Sequence, residues 1–256
     1  MNKTLKKLLV SKSTTVGTWV TLYSNEYAEL MGGFDFDWLT IDMEHSCMSL
    51  GNIQQLVRTI RGKNKPVLVR VDQNNPNTIK RVMDTGPDGV IVPMVKTKED
   101  AERAVASVKY PPKGFRGVGY ARAQGYGLSF NEYKQWLAKE SIVIAIIEHI
   151  DAIENLEEIL SVEGIDASMI GPYDLSGSLG YPGEFDRPDV KKLLNKYLKV
   201  CKKLNKPAGY HVVNPDLKEL NRKKKEGFQF LAFGTDALFF SQGVKDQMGK
   251  MCGLKE

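Results

Sequence analysis

Residues 41–46 read IDMEHS, so Asp42, Glu44 and His45 fall within four positions, directly behind the apolar run WLTI. Acids and an imidazole this close to buried β-type sequence can hold a cation, pair with one or move a proton. Similar residues stand at the ends of other apolar runs. Arg70 closes VLVR, Glu148 follows IVIAII, Asp174 lies in GPYDLSGSLGYPG, His211 in AGYHV and Trp19 in VGTWV. Singly, each has a structural use. Arg70 is equally well explained as a rim partner of Asp42 or Glu44. His45 alone reads as an ordinary hydrogen-bonded residue, and His149 should point away from Glu148 by strand alternation. His211 stays open between strand residue and pocket wall, and only proximity to His45 suggests reactivity in Cys47.

The set says more. Glu148 and Asp174 are too few for a closed zinc site. They suit a hard divalent ion, Mg²⁺ or Mn²⁺ with Co²⁺ admissible, that accepts a chelating substrate. A nearby arginine and histidine then supply an oxyanion partner and a base, which is enolate chemistry.

Such a set needs elements that bring distant residues together. Eight short apolar runs recur, at 16–20, 38–42, 67–71, 89–93, 142–148, 167–171, 208–212 and 228–234, each followed by helix-like sequence. Asn25 suits a helix cap, with Gly32-Gly33 ending that helix. Thr97 precedes Glu99 and Asp100, as at a helix start. Ile53, Leu56, Val57 and Ile60 form one apolar stripe, and Ile153, Leu156, Ile159 and Leu160 another. Pro215 suits the first turn of the helix after the seventh strand. Eightfold β-then-α alternation predicts a (β/α)₈ TIM barrel, one domain over 1–256. A doubly wound open sheet is the runner-up, but no Gly-rich dinucleotide fingerprint follows any strand. Barrel enzymes work at the C-terminal ends of their strands, where these polar residues fall. Two connections are long: 95–141, expected over one barrel mouth with a helix at 130–139, and the sixth, which begins GPYDLSGSLGYPG.

Composition bounds the partners. A 42% apolar, 26% charged chain of 256 residues suits a soluble globule. No apolar run approaches the roughly 20 residues that cross a bilayer, and the basic start lacks a signal-peptide pattern. Three dispersed cysteines fit reduced thiols and a cytoplasmic setting. The net charge of +5 sits in lysine pairs on helix-like stretches; without aromatic-basic interleaving it argues for solvated faces and against nucleic acid.

IDMEHS, VLVRV, RGVGYARA, the apolar strand ending in IE and GPYDLSGSLGYPG, in this order, resemble the HpcH/HpaI aldolases, class II pyruvate aldolases. The resemblance runs from about Gly17 to Thr235. It implies Glu148 and Asp174 as metal ligands, His45 as proton acceptor with Asp84 as its partner, and Arg70 as transition-state stabiliser. Gly171, Pro172, Tyr173 and Asp174 would bind the pyruvyl carboxylate and Trp19 would line the substrate site, with Asp42 and Glu44 supporting from behind. It also implies a homo-oligomer, typically a hexamer of dimers that exchange the last helix, for which Leu238, Phe239 and Phe240 offer apolar packing. Three positions depart from the family: Ile146 replaces a substrate-touching glutamine, Tyr173 a small residue, and His211 an aliphatic one. They put the usual acceptor aldehyde in question without removing a ligand or the base.

The expected activity is an aldehyde-lyase (EC 4.1.2) reaction, cleaving a 4-hydroxy-2-oxo acid into pyruvate and an aldehyde. Two alternatives stand beside it. One is decarboxylation of oxaloacetate, or a synthase, through the same enolate. The other is a barrel that binds an acidic metabolite without turnover.

Overall fold

Each apolar run becomes one strand: β1 Thr15–Val20, β2 Trp38–Asp42, β3 Val67–Arg70, β4 Gly89–Val92, β5 Ile142–Ile147, β6 Ala167–Ile170, β7 Ala208–Val212 and β8 Phe230–Thr235. In the computed structural model, which describes residues 4–253, they pair in parallel and in sequence order, and β8 closes on β1. The structure is a (β/α)₈ barrel.

Period-2 alternation splits each strand between two cores. On β5, Val143, Ala145 and Ile147 pack outward against helices, while Ile142, Ile144 and Ile146 fill the barrel. Leu68, Ile91, Met169 and Ala232 join the inner set from other strands. Trp38 stacks on Phe230 at 4.2 Å and fills the space over Gly17, where a Cβ would lie 2.1 Å from the indole. The helix Leu5–Val10 adds Leu5 and Leu9 to this inner core. Continuing the same alternation by one step brings Asp42, Arg70, Glu148, Gly171, His211 and Gly234 to the inner face at the C-terminal ends of their strands.

The helices follow their stripes. Ile53, Leu56, Val57 and Ile60 are buried along Leu50–Gly62. Thr97 and Asp100 form a reciprocal capping box on Lys98–Val108. Other expectations shift. Ser24, not Asn25, caps the second helix, which keeps Gly32 and Gly33 in its last turn. The 153–160 stripe divides at Asn155 into two short helices, Ile150–Glu154 and Leu156–Ser161. Pro215 precedes the cap, Asp216, rather than opening the helix.

The long fourth connection lies at the end of the barrel where strands begin. The helix Lys98–Val108 has already returned to that end before the loop starts. Arg116, its side chain fully enclosed, pairs with Asp84 at 2.5 Å and donates to the Tyr133 hydroxyl at 2.9 Å. Arg122 donates to the Thr85 carbonyl at 2.7 Å. The connection therefore crosses the mouth opposite the polar residues of its own chain, leaving Tyr120, Tyr126 and Leu128 exposed.

Candidate active site

Arg70 organises the mouth at the C-terminal ends of the strands. β2 and β3 pair with Asp42 opposite Arg70, so the guanidinium meets the carboxylate in a fork: Nε to Oδ1 at 2.9 Å and Nη2 to Oδ2 at 2.6 Å. Its Nη1 lies 3.1 Å from Glu44 Oε2, and its carbon sits 4.4 Å above the buried Trp19 ring. The Asp42 carboxylate also accepts the backbone N–H groups of Glu44 and His45, at 3.0 and 3.2 Å. Asp42, held in this fork, thus fixes the turn that carries Glu44 and His45.

The remaining acids share this one arginine and are only partly compensated. Burial, then the charges of Glu44 and Asp174, push the Glu148 carboxyl up to about 7, against a hydrogen bond from the Met94 amide at 2.6 Å. Burial likewise raises Glu44 to about 7; Arg70 opposes this, while Asp42 and Asp174 add to it. Glu44 Oε2 is buried without a hydrogen-bond partner. One arginine faces Asp42, Glu44, Glu148 and Asp174, so the region carries an excess of negative charge, and Glu44 Oε2, near Arg70 Nη1, has no aligned hydrogen bond.

That arrangement fits a hard divalent cation. Among the described residues no three His, Cys, Asp or Glu side chains converge as a complete ligand set. A pair such as Glu148 and Asp174 would leave coordination positions for oxygens of a substrate or water.

The sequence-derived residues fall as follows. Asp42, Glu44, Arg70, Glu148 and Asp174 are brought together, with Trp19 beneath Arg70. Gly171 backs onto Glu148 so closely that a Cβ would lie 2.8 Å from the glutamate Cβ. Pro172 and Asp174 lie in the first turn of the helix Pro172–Ser178, which no side chain caps. Tyr173 is exposed and meets Phe185 edge-on at 4.7 Å. Ile146 is buried inside the barrel below Glu148. His149 caps the next helix by accepting the Asp151 amide.

Two placements change the expected proton relay. His45 lies at the rim, its side chain 70% exposed, with Nε2 3.9 Å from Glu44 Oε2. Asp84 ends the helix Pro76–Asp84, at the opposite end of the barrel, and pairs with Arg116. Within one chain Asp84 is therefore not the partner of His45: a helix that returns from β3 delivers its last residue to the far face. The site also contains a contact that no sequence signal marks. Met94 is held at φ 52°, in the left-handed region, and directs its amide to Glu148.

A barrel that gathers an arginine–aspartate fork and a cluster of partly compensated carboxylates at its C-terminal mouth belongs among the TIM-barrel enzymes. The sequence profile of the HpcH/HpaI aldolase/citrate lyase family matches residues 15–242, and the chain belongs to that family. It is 34% identical to a 2-keto-3-deoxy-L-rhamnonate aldolase of Klebsiella pneumoniae over 246 residues, covering 95% of this chain and 91% of the relative. It is 36% identical to a hydroxypyruvate/pyruvate aldolase of Sagittula stellata over 233 residues, covering 91% of each. The solved structure of an HpcH/HpaI aldolase/citrate lyase family protein from Burkholderia cenocepacia superposes with a TM-score of 0.92 at 27% identity, covering 96% of this chain and 98% of that one.

Proposed function

We propose that this protein is a divalent-metal-dependent aldolase that cleaves a 4-hydroxy-2-oxo acid of the 2-dehydro-3-deoxy type into pyruvate and an aldehyde. The observation that carries the reading is the trio Glu44, Glu148 and Asp174, whose charge a single arginine shared with Asp42 does not balance. Such a trio favours a bound cation, and the relatives that match more than nine-tenths of the chain are named as aldolases, which supports the lyase part of the reading.

In this reading Glu148 and Asp174 hold Mg²⁺ or Mn²⁺, with Co²⁺ as a substitute. When bound, the ion supplies Lewis-acid stabilisation of negative charge on the keto oxygen. Everything else comes from the chain. Backbone groups around Gly171–Asp174 receive the substrate carboxylate. His45, the exposed base, takes the C4 hydroxyl proton. The C3–C4 bond breaks, its electron pair passes into the pyruvate enolate, and the C4 carbon leaves as the aldehyde. The Arg70 guanidinium faces the developing oxyanion, and a proton returned to C3 completes pyruvate. Asp42 keeps Arg70 in its fork, Glu44 lies 3.1 Å from it, and Trp19 supports it from below.

A His45–Asp84 dyad would need the Asp84 of a second copy, because each chain places its own at the other mouth. The C-terminal helix Asp236–Gly253 suits association too: every described residue from Phe240 to Met251 is exposed, including Val244 and Met248. We therefore read the protein as a homo-oligomer, a hexamer by family pattern, that exchanges this helix.

Pyruvate release from a 4-hydroxy-2-oxo acid, followed by coupled NADH oxidation, tests the proposal. The parent should turn over with Mg²⁺ or Mn²⁺, and Glu148→Gln and Asp174→Asn should abolish turnover. Full activity of either variant under rigorous chelation would sink the assignment.

A further inference from the structure

His211 stands where the fold needs no histidine. β7 places it on the inner face, one alternation step above Gly209, while Ala208 and Val212 join the outer core. Its ring lies 5.4 Å from that of Trp19, centroid to centroid, and Arg70 and Asp42 are its charged neighbours. It therefore belongs to the wall of the site.

Its hydrogen bonding fixes its chemistry. Nε2 lies 3.1 Å from the Gly234 carbonyl oxygen, which can only accept, so Nε2 carries the proton. Burial drives the imidazole down to about 4, ahead of the Gly234 bond that raises it and the Arg70 charge that lowers it further. The ring is thus neutral near pH 7. A neutral ring protonated at Nε2 leaves Nδ1 as a bare acceptor. Nδ1 has no hydrogen-bond partner among the described residues, nor is it one of the fully enclosed orphan atoms. The neighbouring Trp19 Nε1–H is such an orphan, buried and unpartnered. The Trp19 atom is enclosed and out of a substrate's reach; the His211 Nδ1 acceptor, on a ring beside the Arg70–Asp42 fork, is the polar position that the barrel wall offers.

We propose that His211 Nδ1 accepts a hydrogen bond from a hydroxyl group of the substrate, making this aldolase selective for hydroxylated substrates. The inference rests on the aldolase reading above and names the substrate class that its pocket takes. An aliphatic residue at this position offers such a hydroxyl no acceptor. A substrate carboxylate would bring one acceptor against another, so His211 disfavours acid groups there. The hydroxyl can belong to the oxo acid or to the aldehyde, because both meet next to Arg70.

The test is aldol addition in four combinations: pyruvate or 3-hydroxypyruvate as nucleophile, with acetaldehyde or glycolaldehyde as electrophile. The parent should favour the hydroxylated member of at least one pair by about tenfold or more in kcat/KM, since a site built around a hydroxyl rejects its analogue. His211→Leu should remove that preference. His211→Gln, which can donate to Gly234 and still accept, should restore part of it. The pair that responds identifies which substrate carries the hydroxyl. Equal effects of His211→Leu on all four combinations, or no preference in the parent, would overturn the proposal. Calorimetric titration of the four compounds into parent and His211→Leu protein reads the same preference without turnover; tighter binding of a hydroxylated compound that His211→Leu abolishes is expected, and its absence counts equally against the proposal. Exchange of the pyruvate methyl protons by the parent separates the two levels. Exchange without hydroxyl selectivity rejects the His211 assignment alone, whereas no exchange with metal present rejects the aldolase reading beneath it.

Discussion

Replacing Glu148 by glutamine should make the protein more stable at neutral pH while abolishing its activity. The carboxyl releases its proton near 4.5 in the unfolded chain and near 7 in the fold, chiefly because it is buried. Between those values the fold holds a proton that the unfolded chain has lost. Stability therefore falls as pH rises through this window, and the full penalty stands above it. A separation of this size corresponds to about 3 kcal/mol at roughly 1.4 kcal/mol per unit. Glutamine is neutral at every pH and keeps an oxygen for the Met94 amide, so the substitution removes the penalty without opening a cavity. Urea unfolding of metal-free parent and Glu148→Gln protein at pH 4 and pH 8 is the assay. The curves should nearly coincide at pH 4, and the variant should lead by about 2–3 kcal/mol at pH 8. Added Mg²⁺ should then stabilise the parent and leave the variant unmoved. A variant no more stable than the parent at pH 8, or a gain independent of pH, would refute the claim that Glu148 is an only partly compensated buried acid.

Two further substitutions probe the same mouth. Gly171→Ala would drive a methyl into the Glu148 side chain, 2.8 Å from its Cβ and 3.2 Å from Oε2. It should cost about 1–3 kcal/mol in thermal or urea unfolding and lower kcat by displacing the carboxylate. Arg70→Met would leave the Asp42 side chain, 3% exposed, with only two backbone donors. A loss of about 3–5 kcal/mol is expected, and Asp42→Asn in the same chain should recover much of it, a coupling that a double-mutant cycle measures.

The barrel was legible because strand and helix periods alternate without interruption, and a closed parallel sheet tolerates little else. The polar residues at strand ends were legible for the same reason: Asp42, Arg70 and Glu148 each continue an inward-facing series. Asp84 was not. Its sequence neighbourhood, VMDTG, marks a helix end, and only the return path of that helix shows that the end lies at the far mouth. The long connection, expected over one mouth without a choice between them, was likewise placed by the helix before it. Asn25 lost the cap to Ser24 because either side chain suits the position and only one backbone geometry is extended there. Nothing in the letters marks Met94, whose contribution is a backbone amide in a left-handed conformation. His211 looked undecided as a letter. The Gly234 carbonyl, which assigns its proton, belongs to a strand some twenty residues later.

The central claim is that Glu148 and Asp174 hold a cation at a site that forms the pyruvate enolate. Proton NMR of pyruvate in D₂O tests it without needing to know the aldehyde. The parent protein with Mg²⁺ or Mn²⁺ should exchange the methyl protons for deuterium, and chelation, Glu148→Gln and Asp174→Asn should each stop the exchange. Exchange that persists at the parent rate under chelation and in both variants would contradict the account.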